Sequence, residues 1–306
     1  MAATLTMAAT TAMANTLPTA PPSVSLVIGS GSVKCAAAIG VASVLREAGI
    51  RIERVVGCSG GALFATLIAM GHDADTARDM TLRLWTKDIT ARRNNHALLS
   101  ALAPKLMGFK ASRFGLRDDR HINRRLQEAF GDARIEDMPV PLHITATNFM
   151  DGELVDLSRG PVAPAIRASL AIPFAFAPVE LDGQLLVDGY VSDPLPLSVA
   201  IKHGARVIVA VGFESPMMEE IGSAGRFAMQ LSSIMSNNLL RARYAFNSVA
   251  HHAEVITIIP EFKKRIRLFD TDKVPYIIEA GTQAAREQIG YLRRLLDQDR
   301  AIAAAA

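Results

Sequence analysis

Apolar runs and amphipathic stretches alternate along the first part of the chain. Residues 25–28 have the pattern of a buried strand, and residues 35–48 follow with apolar positions at helical spacing that end at Gly49. A second apolar run at residues 55–56 leads into an uninterrupted helix-forming stretch that ends at Gly71. Strands that alternate with helices in this order predict a parallel sheet.

The pattern changes in the middle of the chain. From Asp73 to Arg125 it is helical and irregular, which predicts a cap-like helical insertion at residues 73–125 rather than further sheet. Beyond the insertion, strands are predicted at residues 142–147, 153–157, 185–187, 207–211 and 255–259. Helices are predicted from Pro164 through Leu170 and at residues 223–252 and 282–298. Because no internal repeat or interior linker interrupts the chain, residues 23–306 are predicted to form one domain.

The first 22 residues differ from the rest because they carry no charge and are rich in Ala, Thr, Met and Pro. They predict a disordered leader, and translation from Met7 or Met13 fits the same interpretation. A secretory signal needs a basic start and an unbroken apolar region, which this segment lacks. Residues 12–14 nevertheless resemble a cleavage site, so secretion stays open as an alternative. No apolar run of about 18 residues is present, and no membrane span is predicted.

The composition is that of an ordinary globular protein, with 306 residues of which 50% are hydrophobic and 21% charged. The two cysteines, Cys35 and Cys58, cannot build a disulfide framework and fit a reducing compartment. A cytoplasmic location is therefore expected, and peripheral contact with a membrane is expected only from the basic segment described next. Neither the cysteines nor the seven histidines have the spacing of a metal site, so no metal and no cofactor is predicted.

Positive charge is concentrated in one segment of the chain. Between Arg78 and Arg125 there are twelve Lys or Arg and four Asp, whereas the whole chain has a net charge of +3. Such a segment predicts contact with an anionic membrane surface, and a solvated surface without a partner is the alternative. Aromatic residues are few within it, so nucleic acid is not expected as a partner.

The most specific local pattern is Gly57-Cys58-Ser59-Gly60-Gly61, a G-x-S-x-G sequence between a strand pattern and a helix pattern. Gly57 and Gly61 lack a Cβ, so strand and helix can pack closely around a sharp turn. The turn places the Ser59 hydroxyl at its tip, beside a helix N-terminus that favours negative charge. Ser59 is therefore a candidate nucleophile, and a serine that only caps the helix is the alternative.

A second glycine-rich turn, residues 29–34 with the sequence G-S-G-S-V-K, follows the first strand. A dinucleotide fingerprint would need glycine where Lys34 stands, and the turn lacks the G-K-[ST] close of a P-loop. What remains is a row of backbone N–H groups at a helix start, where anions bind readily. Because neighbouring parallel strands end on the same side of a sheet, this turn is expected beside Ser59 as an oxyanion hole.

Other titratable residues give alternative catalytic sets. Asp188 ends an apolar strand pattern and precedes a glycine, so it is a turn former, which these residues alone favour, or a catalytic base. A Ser-His-Asp triad would use Ser59, Asp188 and either His203 or His251, although the nucleophile then comes early for such an enzyme. His143 alternates with apolar residues on a predicted strand and is interpreted as a structural histidine.

Ordered blocks of sequence between residues 25 and 200 resemble the bacterial branch of the patatin-like phospholipases. The blocks are the turn at residues 29–34, Ile39-Gly40-Val41, the G-x-S-x-G pattern, Ser169-Leu170-Ala171-Ile172-Pro173 with Pro178-Val179 after it, and Asp188-Gly189-Tyr190. The last third of the chain adds only a general pattern to the resemblance.

The resemblance implies a three-layer α/β/α fold with a mostly parallel central sheet, of the FabD/lysophospholipase-like kind. It implies a dyad of Ser59 and Asp188 without a histidine, so Asp188 becomes a base rather than a turn former. It further implies an oxyanion hole at Gly29, Gly31, Ser32 and Gly60, supporting charge from Lys34, and motif glycines at Gly57, Gly61 and Gly189. The expected activity is hydrolysis of phospholipid or related acyl esters through an acyl-enzyme, without a cofactor.

The chain departs from the family pattern at four positions. Ser30 and Ser32 stand where glycine is usual, Lys34 where arginine is usual, and Tyr190 where a small residue is usual. Serine keeps its N–H, so the oxyanion hole is expected to survive if neither serine needs a positive φ. Tyr190 adds bulk beside the dyad. These departures leave a degenerate, lipid-binding member of the family as a non-enzymatic alternative.

Overall fold

The computed structural model describes residues 21–86, 89, 92–103, 105, 108–215, 217–250, 253–268 and 270–305. The predicted leader therefore lies outside the described residues, except for its last two. Within the described residues, eight strands form one sheet: β1 Ser23–Ile28, β2 Arg51–Cys58, β3 Leu142–Asn148, β4 Leu154–Leu157, β5 Val179–Leu181, β6 Gln184–Asp188, β7 Val207–Val211 and β8 Glu254–Ile258. The α-helices are α1 Ala37–Glu47, α2 Gly60–Ala69, α3 Ala74–Leu84, α4 Asn95–Leu102, α5 Arg120–Phe130, α6 Val162–Ser169, α7 Leu197–Lys202, α8 Ala224–Ala250 and α9 Val274–Ala305.

The sheet is mixed and mostly parallel. Its strand order is β5-β6-β3-β2-β1-β7-β8, and β4 pairs with β3 off this path. The run from β3 through β2, β1 and β7 to β8 is parallel, whereas β4 and β6 are antiparallel to β3, and β5 is antiparallel to β6. β1 and β2 therefore end on the same side of the sheet, which brings the turn after β1 beside the turn that holds Ser59.

The pairing along β3 brings Cys58 and Asp188 together. β4 pairs with both Thr145 and Ala146 on one edge of β3, so β2 and β6 share its other edge. On that shared edge Cys58 of β2 pairs with Thr145, and Asp188 of β6 pairs with Ala146. β2 and β6 thus meet end to end, and the residues that follow each strand lie close to one another.

Helices cover both faces of the sheet and give the chain three layers. On β7, Val207, Val209 and Val211 belong to one hydrophobic cluster, which also contains residues of α1, α2, α6 and α9. Ile208 and Ala210 belong to a second cluster with residues of α7 and α8. This alternation is the two-residue period of a strand that is buried on both faces. The fold is the α/β/α arrangement that the resemblance implies.

Two glycines let α1 and α9 cross in direct backbone contact. A Cβ on Gly40 would clash with the carbonyl oxygen of Ile278, and a Cβ on Gly281 would clash with that of Ala37. Gly40 belongs to the Ile-Gly-Val block of the resemblance, and the close helix crossing explains why glycine is needed there. The crossing seals the face of the sheet that carries the larger core.

The predicted elements are present with shifted ends. The helix predicted at residues 35–48 is a 3₁₀ turn at Ser32–Ala36 followed by α1, and the helix predicted from residue 282 begins at Val274. β5 and α7 are absent from the sequence prediction, because elements of three and six residues carry little periodic signal. Residues 73–125 contain α3, α4 and the first part of α5, which continues to Phe130. No helix in the described part of the chain has both the length and the apolar character that crossing a membrane requires.

Candidate active site

Ser59 lies at the tip of a sharp turn between β2 and α2. Its backbone angles are φ 56° and ψ −127°, which residues with a Cβ rarely adopt. A Cβ on Gly57 would lie 2.6 Å from the side chain of Ala65, and a Cβ on Gly61 would lie 2.6 Å from the carbonyl oxygen of Gly29. Glycine is therefore required on both sides of Ser59, because strand and helix touch there. The strained turn persists because its surroundings hold it.

The Ser59 hydroxyl donates a hydrogen bond of 2.7 Å to Oδ2 of Asp188. Asp188 is the last residue of β6 and is fully buried, and its Oδ1 accepts a 3.1 Å hydrogen bond from the backbone N–H of Tyr190. A Cβ on Gly189 would lie 2.6 Å from the carbonyl oxygen of Thr145, so only glycine fits after Asp188. The structure brings the two residues of the predicted dyad into direct contact.

The environment of Asp188 changes its proton affinity. Burial raises the pKa of Asp188 to about 7, although hydrogen bonds from Ser59 and Tyr190 and the positive charge of Arg167 oppose this rise. Arg167 is itself buried, and its Nη2 donates a 2.7 Å hydrogen bond to Oδ2 of Asp119. A carboxyl group with a pKa near neutrality can accept and return a proton within one reaction cycle.

Ser169 fixes the backbone of the Ser59 turn. The N–H of Ser59 donates a 2.8 Å hydrogen bond to Oγ of Ser169, and that Oγ donates a 2.7 Å hydrogen bond to the carbonyl of Thr145. All three residues are buried. Ser169 ends α6 within one of the sequence blocks of the resemblance, but the sequence assigned it no role. The N–H of Ser59 is used in this chain of hydrogen bonds.

The turn at residues 29–34 packs against the start of α2. A Cβ on Gly60 would lie 2.7 Å from the backbone nitrogen of Ser32, so this contact requires glycine. The N–H of Gly29 donates a 2.9 Å hydrogen bond to the carbonyl of Val211 at the end of β7. Its N–H is therefore already engaged between two neighbouring strand ends. Gly29 is not free to donate to an oxyanion, which is the role that the resemblance implies for it.

Three backbone amides of this region have no hydrogen-bond acceptor among the described residues. The N–H groups of Gly31, Ser32 and Gly60 make no hydrogen bond with any residue that the structure describes. Ser32 has φ 53°, so this position does adopt the left-handed conformation that favours glycine. Its Oγ donates a 2.5 Å hydrogen bond to the carbonyl of Leu268.

A pocket adjoins Ser59, and its wall is mostly apolar. It is lined by Ser30, Gly31, Ser32, Lys34, Ser59, Ile172, Tyr190, Glu214, Ser215, Met218, Met229, Ser232, Ser233, Ile266, Arg267 and Leu268. Nζ of Lys34 donates a 3.0 Å hydrogen bond to the carbonyl of Glu214, and burial lowers the pKa of Lys34. The wall formed by α8 and residues 266–268 was not predicted, because these residues lie beyond the sequence blocks and carry no motif.

Tyr190 contacts two sides of this pocket. Its backbone N–H holds Asp188, and its hydroxyl lies 2.5 Å from Oγ of Ser232 on α8. The ring therefore lies between the dyad and the helical wall of the pocket.

The segment at residues 73–125 also reaches the site. A smaller cavity next to Ser59 is lined in part by Trp85, Ile89 and Ile122 of this segment. Nε1 of Trp85 donates a 3.0 Å hydrogen bond to the carbonyl of Leu268, which is the carbonyl that also accepts from Ser32.

His203, one of the two histidines of the alternative triad, is not placed at the dyad. Nε2 of His203 lies 3.1 Å from Oδ2 of Asp156, and His203 does not line the pocket at Ser59. His251 lies outside the described residues. Among the described residues, no histidine makes a hydrogen bond with Ser59 or Asp188. His143 is buried and lies within hydrogen-bond distance of Asp156, as expected of a structural histidine.

Comparison with known proteins identifies one family model and several relatives that this chain resembles in sequence. The family model described as patatin-like phospholipase matches residues 26–201. An uncharacterized NTE family protein of Mycobacterium tuberculosis is 33% identical over 229 residues, which cover 75% of this chain and 59% of that protein. Patatin-like phospholipase domain-containing protein 6 of Mus musculus is 27% identical over 204 residues, which cover 66% of this chain and 14% of that protein.

The chain spans less than two thirds of the length of these two relatives. Among solved structures, that of VipD from Legionella pneumophila aligns with a TM-score of 0.46 at 15% identity, covering 91% of this chain and 67% of that chain. The segment matched by the family model contains Ser59, Asp188, Ser169 and the turn at residues 29–34.

Proposed function

The chain belongs to the patatin-like phospholipase family, and we propose that it hydrolyses acyl esters of phospholipids or related lipids with Ser59 as nucleophile and Asp188 as base. The observation that carries this proposal is the 2.7 Å hydrogen bond from the Ser59 hydroxyl to the buried carboxylate of Asp188. A serine hydroxyl is a weak nucleophile until an adjacent base accepts its proton. Asp188 is the group in position to do so.

In the first half of the reaction, Asp188 accepts the Ser59 proton while Oγ bonds to the ester carbonyl carbon. The carbonyl oxygen then carries negative charge and needs hydrogen-bond donors. The N–H groups of Gly31, Ser32 and Gly60 are the donors we propose, because they have no partner among the described residues and lie beside the Ser59 turn. The N-terminus of α2 adds partial positive charge.

In the second half, the tetrahedral species collapses and expels the alcohol, which takes the proton held by Asp188. Asp188 next accepts a proton from water as that water attacks the acyl carbon on Ser59. Collapse of this second tetrahedral species releases the fatty acid and returns the proton to Ser59. The hydrogen bond from Tyr190 to Oδ1 keeps Oδ2 of Asp188 directed at Ser59 throughout.

The pocket supports a lipid as the substrate. Its apolar wall, which includes Met218, Met229 and Ile266, suits an acyl chain. Lys34 and Arg267 in the same wall supply positive charge for an anionic headgroup. We therefore propose an anionic phospholipid, a lysophospholipid or a related acyl ester as the substrate class.

We also propose that residues 73–125 act as a cap on a single domain formed by residues 23–306. The side chains of Trp85 and Ile122 support this role, since they line the smaller cavity next to Ser59. The hydrogen bond from Trp85 to Leu268 ties the cap to the pocket wall.

The proposed function is tested with purified protein, short and long acyl esters, and a fluorophosphonate probe. We expect the probe to label Ser59, and Ser59→Ala and Asp188→Asn each to abolish hydrolysis. Ser233→Ala changes another serine of the same pocket and should keep both labelling and activity.

The alternatives give different results in the same assays. Loss of hydrolysis in His203→Ala or His251→Ala would instead indicate a Ser-His-Asp triad. Folded protein that neither reacts with the probe nor hydrolyses any ester would indicate a degenerate, lipid-binding member of the family.

The basic segment from Arg78 to Arg125 is proposed to contact an anionic membrane. Exposed leucines on α4, Leu98, Leu99 and Leu102, lie within this segment and support insertion into a lipid surface. Binding to vesicles with anionic phospholipid should weaken as ionic strength rises. Binding that stays constant would exclude this electrostatic contact.

A second exposed apolar surface lies on α8, which lines the pocket and contains no acidic residue. Its exposed side chains include Phe227, Leu231 and Met235. Vesicle binding by Leu98→Ser/Leu102→Ser and by Leu231→Ser/Met235→Ser distinguishes the two surfaces. The variant pair that loses binding identifies the surface that meets the membrane.

A further inference from the structure

Three metal-ligating side chains meet outside the Ser59 pocket. They are His143 of β3, Asp156 of β4 and His203, which directly follows α7, and one ligand atom from each lies within 4.8 Å of the others. Nδ1 of His143 lies 2.9 Å and 3.0 Å from the two carboxylate oxygens of Asp156. Nε2 of His203 lies 3.1 Å from Oδ2 of Asp156.

The fold explains why these side chains converge. Asp156 pairs with Thr145 in the antiparallel β3-β4 hairpin, and His143 is two residues from Thr145 on the same face. His143 and Asp156 are therefore diagonal neighbours, which long side chains can bridge. α7 packs on this face of the sheet and ends at Lys202. The next residue, His203, donates its backbone N–H to the carbonyl of Val199, which fixes His203 at the end of the helix.

We propose that His143, Asp156 and His203 form a binding site for a divalent transition-metal ion of the Zn²⁺ type. Two imidazole nitrogens and one carboxylate oxygen are a donor set that such ions prefer. Metal–ligand bonds of about 2.0–2.2 Å would place tetrahedral donors about 3.4 Å apart. The ligand atoms are already spaced at 2.9–3.1 Å around Asp156, so small side-chain movements would admit the ion.

The three side chains form a site that is closed on one side and open on the other. The side chain of His143 is 7% exposed, that of Asp156 21% and that of His203 36%. An ion can therefore enter past His203, and water can occupy the remaining coordination position. Each histidine would bind in its neutral form, with the proton on the ring nitrogen that faces away from the ion.

A bound ion would link β3, β4 and the end of α7. β3 is also the strand whose Thr145 and Ala146 pair with Cys58 and Asp188. The ion would therefore brace the strand on which the turn of Ser59 and the end of β6 meet. Its expected effect is on stability, and it takes no part in the proposed acyl transfer, so each proposal can fail without the other.

The site is tested on the full chain after removal of metals with a chelator. Zn²⁺ titration followed by calorimetry should give binding of one ion per chain, and Zn²⁺ should raise the thermal unfolding temperature. Co²⁺ should give the visible absorption of a low-symmetry site with nitrogen and oxygen ligands. Absence of stoichiometric binding by the wild-type chain would overturn the proposal.

Variants assign any observed binding to these residues. Asp156→Asn keeps the shape of the side chain, and His203→Ala changes the most exposed ligand, so folding is expected to survive in at least one of them. Each should weaken Zn²⁺ binding by about 10–100-fold or more, because mutating even a residue that only hydrogen-bonds to a metal ligand lowers metal affinity by that factor. His96→Ala changes an exposed histidine on α4 and should leave binding unchanged. Wild-type affinity in both Asp156→Asn and His203→Ala would overturn the proposal.

Discussion

The backbone N–H of Ser59 donates a 2.8 Å hydrogen bond to Oγ of Ser169. The same hydroxyl donates to the carbonyl of Thr145, the residue of β3 that pairs with Cys58. One buried side chain therefore links the Ser59 turn to the strand beside which Asp188 ends. The positive φ of Ser59 is held by contacts outside its own turn, as a strained residue requires.

Ser169→Ala should impair catalysis although Ser169 does not touch the Ser59 hydroxyl. The change leaves the N–H of Ser59 without its acceptor, so the turn can relax and the hydroxyl can move away from Asp188. Misplacement by about 1 Å can cost about 10²-fold in rate, and an unpaired buried group costs about 1–3 kcal/mol. The measurements are kcat and KM on an acyl ester and the free energy of unfolding in urea.

Ser100→Ala is the matched control for this change. Ser100 is also buried, and its hydroxyl donates to the carbonyl of Ala97 within α4. Its replacement should cost some stability and leave kcat unchanged. Wild-type kcat in Ser169→Ala would mean that the turn keeps its shape without this hydrogen bond.

The pH dependence of hydrolysis should follow Asp188. The ionised carboxylate is the form that accepts a proton, so kcat/KM should rise with pH and reach half of its plateau at about 7. Arg167→Met removes a positive charge that lowers the pKa of Asp188, so the midpoint should move to higher pH. Arg167→Lys keeps the charge and should stay closer to wild type. A midpoint that is equal in all three proteins would exclude Asp188 as the titrating base.

Ionisation of Asp188 should also lower the stability of the folded chain at pH values near and above 7. Its pKa rises from 3.8 to about 7 on folding, so the folded state retains the proton to higher pH than the unfolded state. Stability from this group is present in full below about pH 4 and is lost as the pH rises to about 7. One pKa unit corresponds to about 1.4 kcal/mol, so this loss in the free energy of unfolding is at most on the order of 4 kcal/mol.

Asp188→Asn tests this loss because asparagine does not ionise. Near pH 8 the variant should unfold at higher urea concentration than wild type, and near pH 4 the difference should shrink. Asp132→Asn, at an exposed position, should match wild type at both values. Lower stability of Asp188→Asn near pH 8 would contradict the prediction. Its hydrolysis should be lost in either case.

Local patterns predicted the sharp turn at Ser59 between a strand and a helix, because the G-x-S-x-G pattern is specified within five residues. They did not decide the role of Asp188, since a carboxylate before glycine is also a common turn former and only the resemblance favoured a base. The hydrogen bond from Ser59 to Ser169 joins residues 110 positions apart, and nothing near either residue indicates it.

The cluster at Asp156 was missed for the same reason. His143 and His203 lie 13 and 47 positions from Asp156, so no ligand spacing exists in the sequence. Strand pairing and the end of α7 create the cluster. Long strands and helices were predicted because their periodicity is local, whereas contacts between distant elements depend on sheet order and register.

Ser32 allows a test of the oxyanion turn that separates backbone strain from chemistry. Its φ of 53° is costly for a residue with a Cβ and free for glycine. Ser32→Gly and Ser32→Ala both remove the hydroxyl that bonds Leu268, and both keep the N–H. Ser32→Gly should therefore be more stable than Ser32→Ala by about 1 kcal/mol.

Both variants should retain hydrolysis if the donor at this position is the backbone N–H. The measurements are urea unfolding and kcat/KM on one acyl ester. Loss of activity in both variants would mean that the Ser32 hydroxyl, rather than its N–H, contributes to the reaction.

Tyr190 should set the size of acyl group that the pocket accepts. It stands where the family has a small residue, and its ring lies between Asp188 and Ser232 on α8. Tyr190→Ala removes the ring and keeps the N–H that holds Asp188, so the dyad should remain intact. The freed space should raise kcat/KM for long esters relative to short ones by about 10–100-fold, since pocket volume discriminates by about 1–3 kcal/mol for each methylene.

Tyr190→Phe separates the ring from its hydroxyl. It removes only the contact with Ser232 and keeps the volume, so the ratio of kcat/KM for long and short esters should stay near the wild-type value. Circular dichroism checks that Tyr190→Ala is folded, because deleting a largely buried ring costs stability. If all three proteins give one ratio, the acyl chain does not pass Tyr190, and the wall formed by Met218 and Met229 must set the chain length instead.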